Sequence, residues 1–220
     1  MRTAAVLGLV LLLGSVWMIH SDDISPEKLI QDGFDLDRFM GRWYDLAVVS
    51  TCPHYMHRKR VSPVIVALDL QGVGPGRNFT VTSTRIRNGT CQPSSRLLSL
   101  TDVPGRFFHH NPKFSADVYS YVLRVSYEHY AVLLLLSTEQ PSGNRTTSLK
   151  LLSRAVDVSP AALEEFKTLV RQHKLRDDSI IMNKDVCTVN QHVTEATAQP
   201  QVSGSKTNAV PPENENKVRP

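Results

Sequence analysis

The chain has 220 residues, 41% of them hydrophobic, and 25 Lys and Arg against 21 Asp and Glu for a formal charge of +4. That suffices for one domain with a sizeable core, and it is too mild for the basic stripe of a nucleic-acid binder. Three cysteines are too few for a disulfide-dense scaffold, and their odd number leaves one over.

The N-terminus reads as an export signal over residues 1–21. Arg2 supplies the positive start, Ala4 to Val16 is almost unbroken apolar, and Ser15, His20 and Ser21 flank the cleavage region. The run is shorter than the roughly 20 residues that span a bilayer, and no second one follows. A secreted protein without a membrane span is expected, in a compartment where disulfides form. One domain should then occupy residues 22–190. The tail, 191–220, is rich in Gln, Asn, Pro, Ser and Thr and is expected to be disordered.

After the short turn Asp35 to Met40, Gly41-Arg42-Trp43-Tyr44 opens a first strand, Trp43 to Val49. Trp43 is large enough to plug the closed end of a small barrel. Cys52 follows in a basic loop, Pro53-His54-Tyr55-Met56-His57-Arg58-Lys59-Arg60. Cationic neighbours favour the thiolate, which is the nucleophilic form. Strands are then predicted at Val61–Asp69, Phe79–Arg87, Gln92–Thr101, Arg106–His109, Asp117–Ser126, Tyr130–Ser137 and Ser148–Arg154. The turns between them carry Gly72-Val73-Gly74-Pro75-Gly76, Asn88-Gly89 and Pro104-Gly105.

Tyr130 to Leu136 is apolar on both faces, so it must be covered outside as well as inside. The cover is a helix from Ser159-Pro160, a capping hydroxyl followed by Pro at the first helical position. Leu163, Phe166, Leu169 and Val170 fall on one of its faces. Asp178 to Met182 could add a last short strand. The fold class read from this order is all-β: an eight-stranded antiparallel up-and-down barrel with one C-terminal helix outside. Three glycosylation sequons, at Asn78, Asn88 and Asn144, each need a surface position.

A barrel of this size can hold one small ligand. Val66, Leu68, Val81, Leu98, Phe108, Val122 and Leu133 are the expected lining residues, and the same residues would serve any barrel core. No zinc-ligand spacing, phosphate loop or hydrolytic triad is visible, and no cofactor is required. Cys52-Pro53 is a weak haem-contact signal through a thiolate ligand to iron. His54 and His57 read as ordinary loop residues.

Gly41-x-Trp43, eight strands, one helix, a late cysteine and Arg154 at the end of the eighth strand together resemble the lipocalin family. Arg154 matches the basic residue that packs over the family's Trp. Only part of the family's Thr-Asp-Tyr motif is present, as Val125-Ser126-Tyr127. Trp43 to Ala47, Ser50 to Pro53, Thr82 to Arg85, Gly89 to Cys91 and Tyr119 to Val122 resemble the alpha-1-microglobulin branch in particular. That resemblance implies a free reactive Cys52, a Cys91–Cys187 disulfide, and binding of haem or another chromophore. It also implies reduction or radical-scavenging chemistry and covalent attachment to plasma proteins.

Of that branch's three reactive lysines only Lys150 has a counterpart, as a possible modulator of Cys52. Asn111 and Ser137 stand at the other two positions, and Ser142 and Gly143 stand near its haem histidines. The branch is made as a precursor with Kunitz-type inhibitor domains of six cysteines each, which these 220 residues do not contain. Two further readings remain. One is a plain carrier that uses Cys52 only for a disulfide to a partner chain. The other, ranked lower, is an enzyme like prostaglandin D synthase, whose cysteine would fall near Ile65.

Overall fold

The computed structural model describes residues 26–74, 78–87 and 90–186, with the side chains of 85–87 and 185–186 excepted. The expected signal peptide, the tail, Asn88 and Cys187 lie outside the described residues.

A 3-10 turn (Pro26–Leu29) and a one-turn helix α1 (Leu36–Phe39) precede β1 (Gly41–Ser50). Helix α2 (Pro53–Val61) leads into β2 (Val64–Gly72), β3 (Asn78–Arg87), β4 (Thr90–Leu100) and β5 (Arg106–Asn111). Then come β6 (Ala116–Ser126), β7 (Tyr130–Glu139) and β8 (Arg145–Ser153), helix α3 (Pro160–Gln172), and the short β9 (Ile181–Met182) and β10 (Lys184–Val186). Strands β1 to β8 pair antiparallel with their neighbours in order. Pairing of Gly41–Asp45 with Leu70–Val66 closes the circle. The eight-stranded up-and-down barrel stands as expected.

Two apolar clusters divide the molecule because side chains alternate across a strand. The inner one surrounds Trp43 with Phe39, Leu68, Leu70, Phe79, Val81, Leu98, Phe107, Val122, Ala131 and Leu152. The outer one places Phe166, Leu169 and Val170 of α3 on Tyr121, Leu123, Val132, Leu134, Leu149 and Leu151. The doubly apolar β7 is thus covered on its outer face. Helix α3 starts as its sequence dictates, with the Ser159 hydroxyl accepting from the Ala162 N–H and Pro160 at the first position.

Two corrections concern the loop after β1. Residues 53–61 form α2, where a loop was expected, and β2 begins at Val64 rather than Val61, while the expected C-terminal helix stands as α3. The helix shows no apolar stripe: Met56 is its buried residue, Tyr55 is half-buried, and Val61 is exposed. Periodicity could not reveal it. Pro53 at the first helical position was the one available signal.

Candidate functional site

The closed end of the barrel is built on the Gly-x-Trp segment. Trp43 is fully buried and donates its indole N–H to the Phe39 carbonyl at 2.8 Å. Arg154 stacks its guanidinium 3.8 Å from the ring centroid and donates to the carbonyls of Tyr127, Arg42 and Arg38. Gly41 has φ +91°, and a Cβ there would stand 3.4 Å from the Arg154 guanidinium, so glycine suits both the dihedral and the approach. Tyr127 survives from the incomplete Thr-Asp-Tyr motif. Its hydroxyl accepts from the Asp35 N–H at 2.7 Å, so this turn contact exists without the missing Asp.

Above this apolar floor the interior turns polar. Register places Asp45, Lys150, Arg96 and His109 on the inner face. Asp45 pairs with Leu152, Lys150 with Leu133, Arg96 with Val81, and His109 is two residues beyond Phe107. Lys150 Nζ meets Asp45 Oδ2 at 2.6 Å. The Asp45 side chain keeps only 3% exposure and that of Lys150 21%, so the pair is largely withdrawn from solvent.

Burial opposes the charge on Lys150, but Asp45 and Tyr55 outweigh it and hold its pKa above the ordinary lysine value. Burial also pushes His109 down to about 4, with Arg96 and His110 adding repulsion, so this imidazole is neutral near pH 7. Asp45 Oδ1 and His109 Nδ1 are buried without a hydrogen-bond partner.

Helix α2 runs along the mouth. Its Tyr55, Arg58 and Lys59, with Ser62, Val64, Val66 and Thr84, line a cleft of about 270 Å³. Arg58 reaches across to lie 5.7 Å from the Phe114 ring centroid, in the β5–β6 connection. Cys52 is the residue just before α2. It is a free, half-buried cysteine whose N–H donates to the Ser50 hydroxyl. It does not line the cleft.

Lys150 lies deeper than Cys52, because Ser50 at the strand end pairs with Ser148 and Lys150 is two residues further in. The structure therefore sets Lys150 in the Asp45 pair and leaves Cys52 on the rim.

Sequence reading missed a seam in the wall. β1 and β2 pair only over their lower halves, and above that β9 pairs with β1 while β10 runs parallel to β2. Asn183 fills the junction. Its backbone N–H donates to Leu46 O, its side-chain amide to Asp45 O at 2.7 Å, and its Oδ1 accepts from Lys59 Nζ at 3.1 Å. Burial of Lys59 lowers its pKa, and Lys150 adds to this while Asp45 opposes it. A single Asn in a short apolar-polar stretch carried no signal of this role.

Of the expected lining residues, Leu68, Val81, Leu98 and Val122 belong to the inner cluster, and Val66 and Leu133 pack against it. Phe108 does not. Phe107 enters the barrel, whereas Phe108 faces outward and tilts against Tyr119 with centroids 5.1 Å apart. The phase of β5 is one residue from that expected, and a one-residue shift moves a side chain to the opposite face. Adjacent phenylalanines give no alternation from which to read it.

Ile65 is buried in β2, and no cysteine lies in that strand. Cys91, at the start of β4, is disulfide-bonded. Asn78 opens β3 and is half-buried, and Asn144 is exposed before β8. Among the described residues no group of three or more His, Cys, Asp or Glu could hold a metal ion, and no helix is long and apolar enough to cross a membrane.

The family model for the lipocalin and cytosolic fatty-acid binding proteins matches residues 40–185. The chain belongs to the lipocalin family. Among curated relatives it is 42% identical over 205 residues to Protein AMBP of Pleuronectes platessa, covering 91% of this chain and 57% of that one. It is 31% identical to Protein AMBP of Rattus norvegicus, covering 80% and 51%. The chain therefore spans about half the length of these relatives, and the alpha-1-microglobulin likeness seen in its motifs agrees with them. The Prostaglandin-H2 D-isomerase of Equus caballus is 26% identical, with 80% and 89% covered. The solved structure of the siderocalin Ex-FABP matches this lipocalin with a TM-score of 0.55 at 20% identity, covering 66% of this chain and 93% of that one. That likeness shows the fold.

Proposed function

We propose that this lipocalin is a secreted carrier of a small apolar ligand, haem or a related chromophore being the first candidate, with Cys52 as a working thiol at the rim. The observation that carries the reading is the barrel itself: an apolar floor sealed by Trp43, a mouth open beside α2, and a free cysteine at that mouth. Export is supported by the apolar N-terminal run and the three sequons.

For haem, the chain offers Cys52 as a soft thiolate ligand and Arg58 as a cation for a propionate. Bound haem would supply redox-active iron at that place. The mouth cleft, at about 270 Å³, falls just below the roughly 300–1,000 Å³ of small-molecule sites. A porphyrin therefore cannot enter it whole and would remain partly outside the rim.

Without haem, the thiol has two routes. Transfer of its hydrogen atom to a radical leaves a thiyl radical on Sγ and a reduced product. Attack of the thiolate on a disulfide forms Cys52–S–S–R and releases the other sulfur as thiolate. The second route is also the attachment to a plasma partner that serves as the alternative reading. A cysteine in β2, on which a prostaglandin-synthase-like reading depends, is absent from the chain.

Haem titration followed by the Soret band tests the first reading. Saturation near one haem per chain, with a band that shifts in Cys52→Ser, is expected. Unsaturable absorbance unaffected by the substitution overturns it. A heterodimer on a non-reducing gel, lost in Cys52→Ser, supports attachment.

A further inference from the structure

We propose that the mouth end of the barrel is a docking face for an anionic lipid surface, formed by helix α2 and the tip of the β5–β6 turn. This goes beyond the carrier reading, because the contact is made outside the barrel and does not depend on what the barrel holds.

The first observation is where the unpaired cations lie. Among the described side chains, each exposed arginine away from the mouth meets a carboxylate: Arg38 with Glu128, Arg42 with Asp69, Arg124 with Glu165, Arg171 with Asp177 and Arg176 with Asp178. At the mouth the pattern reverses. Arg58 and Arg60 on α2, Lys113 in the β5–β6 turn and Arg145 at the start of β8 are exposed, and no described carboxylate pairs with them. Helix α2 contains no acidic residue. Of the carboxylates described at this end, Asp117 is held by His110 at 2.9 Å, and Glu139 accepts from Ser142 and Asn144 of its own turn. The field of the unpaired cations is thus left for an anion outside the molecule.

The second observation is what stands among those cations. His54, His57, Arg58 and Val61 recur at the spacing that places them on one face of α2. Val61 is 74% exposed. Phe114, in the turn, is 45% exposed, with the Arg58 guanidinium 5.7 Å and Lys113 Nζ 5.5 Å from its ring centroid. Neither Val61 nor Phe114 lines the mouth cleft, so they are knobs on a rim and not walls of a pocket.

Protein partners anchor in well-packed, desolvated pockets. A lipid surface asks for the reverse. Aromatic rings settle at the level of the headgroups, and Lys and Arg hold their charge in the polar layer while their stems run along apolar surface. Unpaired cations mixed with protruding apolar side chains therefore favour an anionic bilayer over an acidic protein.

The test uses the full chain secreted with its glycans, since Asn144 lies at the same end. Co-sedimentation is measured with phosphatidylcholine vesicles, with and without phosphatidylserine. Binding is expected only where phosphatidylserine is present, and added salt should weaken it. Each cation near such a surface contributes about fivefold in affinity. Arg58→Gln, Arg60→Gln and Lys113→Gln combined should therefore weaken binding about a hundredfold. Lys167→Gln, which removes a cation of α3 paired with Glu164, should leave it unchanged. Contact at the tip is read with Phe114→Trp, whose emission should shift to the blue and be quenched by lipids brominated in their acyl chains.

Vesicle binding that the triple variant retains in full overturns the docking face. A Phe114→Trp emission unmoved by phosphatidylserine vesicles overturns it as well. So does binding to polyglutamate without binding to vesicles, which would assign the surface to an acidic protein. Failure to bind either kind of vesicle removes this inference and leaves the carrier reading untouched.

Discussion

Arg154 shows how one side chain secures the closed end. Three carbonyls and an indole face converge on its guanidinium. Arg154→Ala should cost about 2–4 kcal/mol, from lost charge-assisted bonds and lost cation–π contact, and it should shift Trp43 emission to the red. Chemical denaturation followed by that fluorescence reads both effects. Lys150→Met is the harsher change, since it strands Asp45 as a buried carboxylate. A loss of about 3–5 kcal/mol is expected. Adding Asp45→Asn should recover much of it, which a double-mutant cycle measures.

His109 gives a pH signature whose sign follows from its depressed pKa. Between the ordinary histidine value of 6.5 and about 4, the unfolded chain binds a proton that the folded barrel refuses. Stability from this site is therefore present above 6.5 and lost as pH falls toward 4. Thermal melts across that window should flatten in His109→Gln. The raised pKa of Lys150 acts at the other end of the scale. Its pairing with Asp45 contributes fully below the ordinary lysine value and fades only in strong alkali, as pH climbs through the raised value.

At the scale of elements, α3 and α2 are opposites. Helix α3 has a cap, a leading proline and an apolar face, so Ser159→Ala should cost about 1 kcal/mol and Phe166→Ala about 3–5 kcal/mol in equilibrium unfolding. Helix α2 has none of these beyond its proline. It is held by Met56 and by the Lys59–Asn183 contact to the strap formed by β9 and β10. Asn183→Ala removes the side-chain bonds to Asp45 O and Lys59 that tie strap, wall and α2 together. Amide exchange at Ile181–Val186 and across α2 should quicken, while α3 is unchanged. Equal acceleration in α3 would mean that Asn183 acts on global stability instead.

For the whole molecule, the barrel was legible because turn signals and alternation recur along the chain, and Trp43 with Arg154 set its closed end. What escaped has a physical reason in each instance. Helix α2 lacks the periodicity by which helices are read. Phe107 and Phe108 stand side by side, so alternation of apolar and polar residues leaves the phase of β5 open. The charged interior escaped because Asp45, Lys150, Arg96 and His109 come from four strands, and only the register brings them to one layer. Cys52 was visible as a chemical feature, whereas its place on the rim, apart from Lys150, needed the fold.

The molecule also carries a second hollow. A cleft of about 950 Å³ lies outside the barrel, between residues 28–32, Leu123 and Arg124, and the end of α3 at Leu169 to Lys174. It is larger than the mouth cleft and owes nothing to Trp43, Lys150 or Cys52. Where a ligand settles is therefore the decisive question. A crystal structure of this lipocalin with a bromine-labelled apolar acid answers it through the anomalous signal. The peak is expected inside the ring of β1 to β8, above Trp43. A peak in the outer cleft beside Leu169, with the barrel unchanged, would contradict a ligand seat within the barrel.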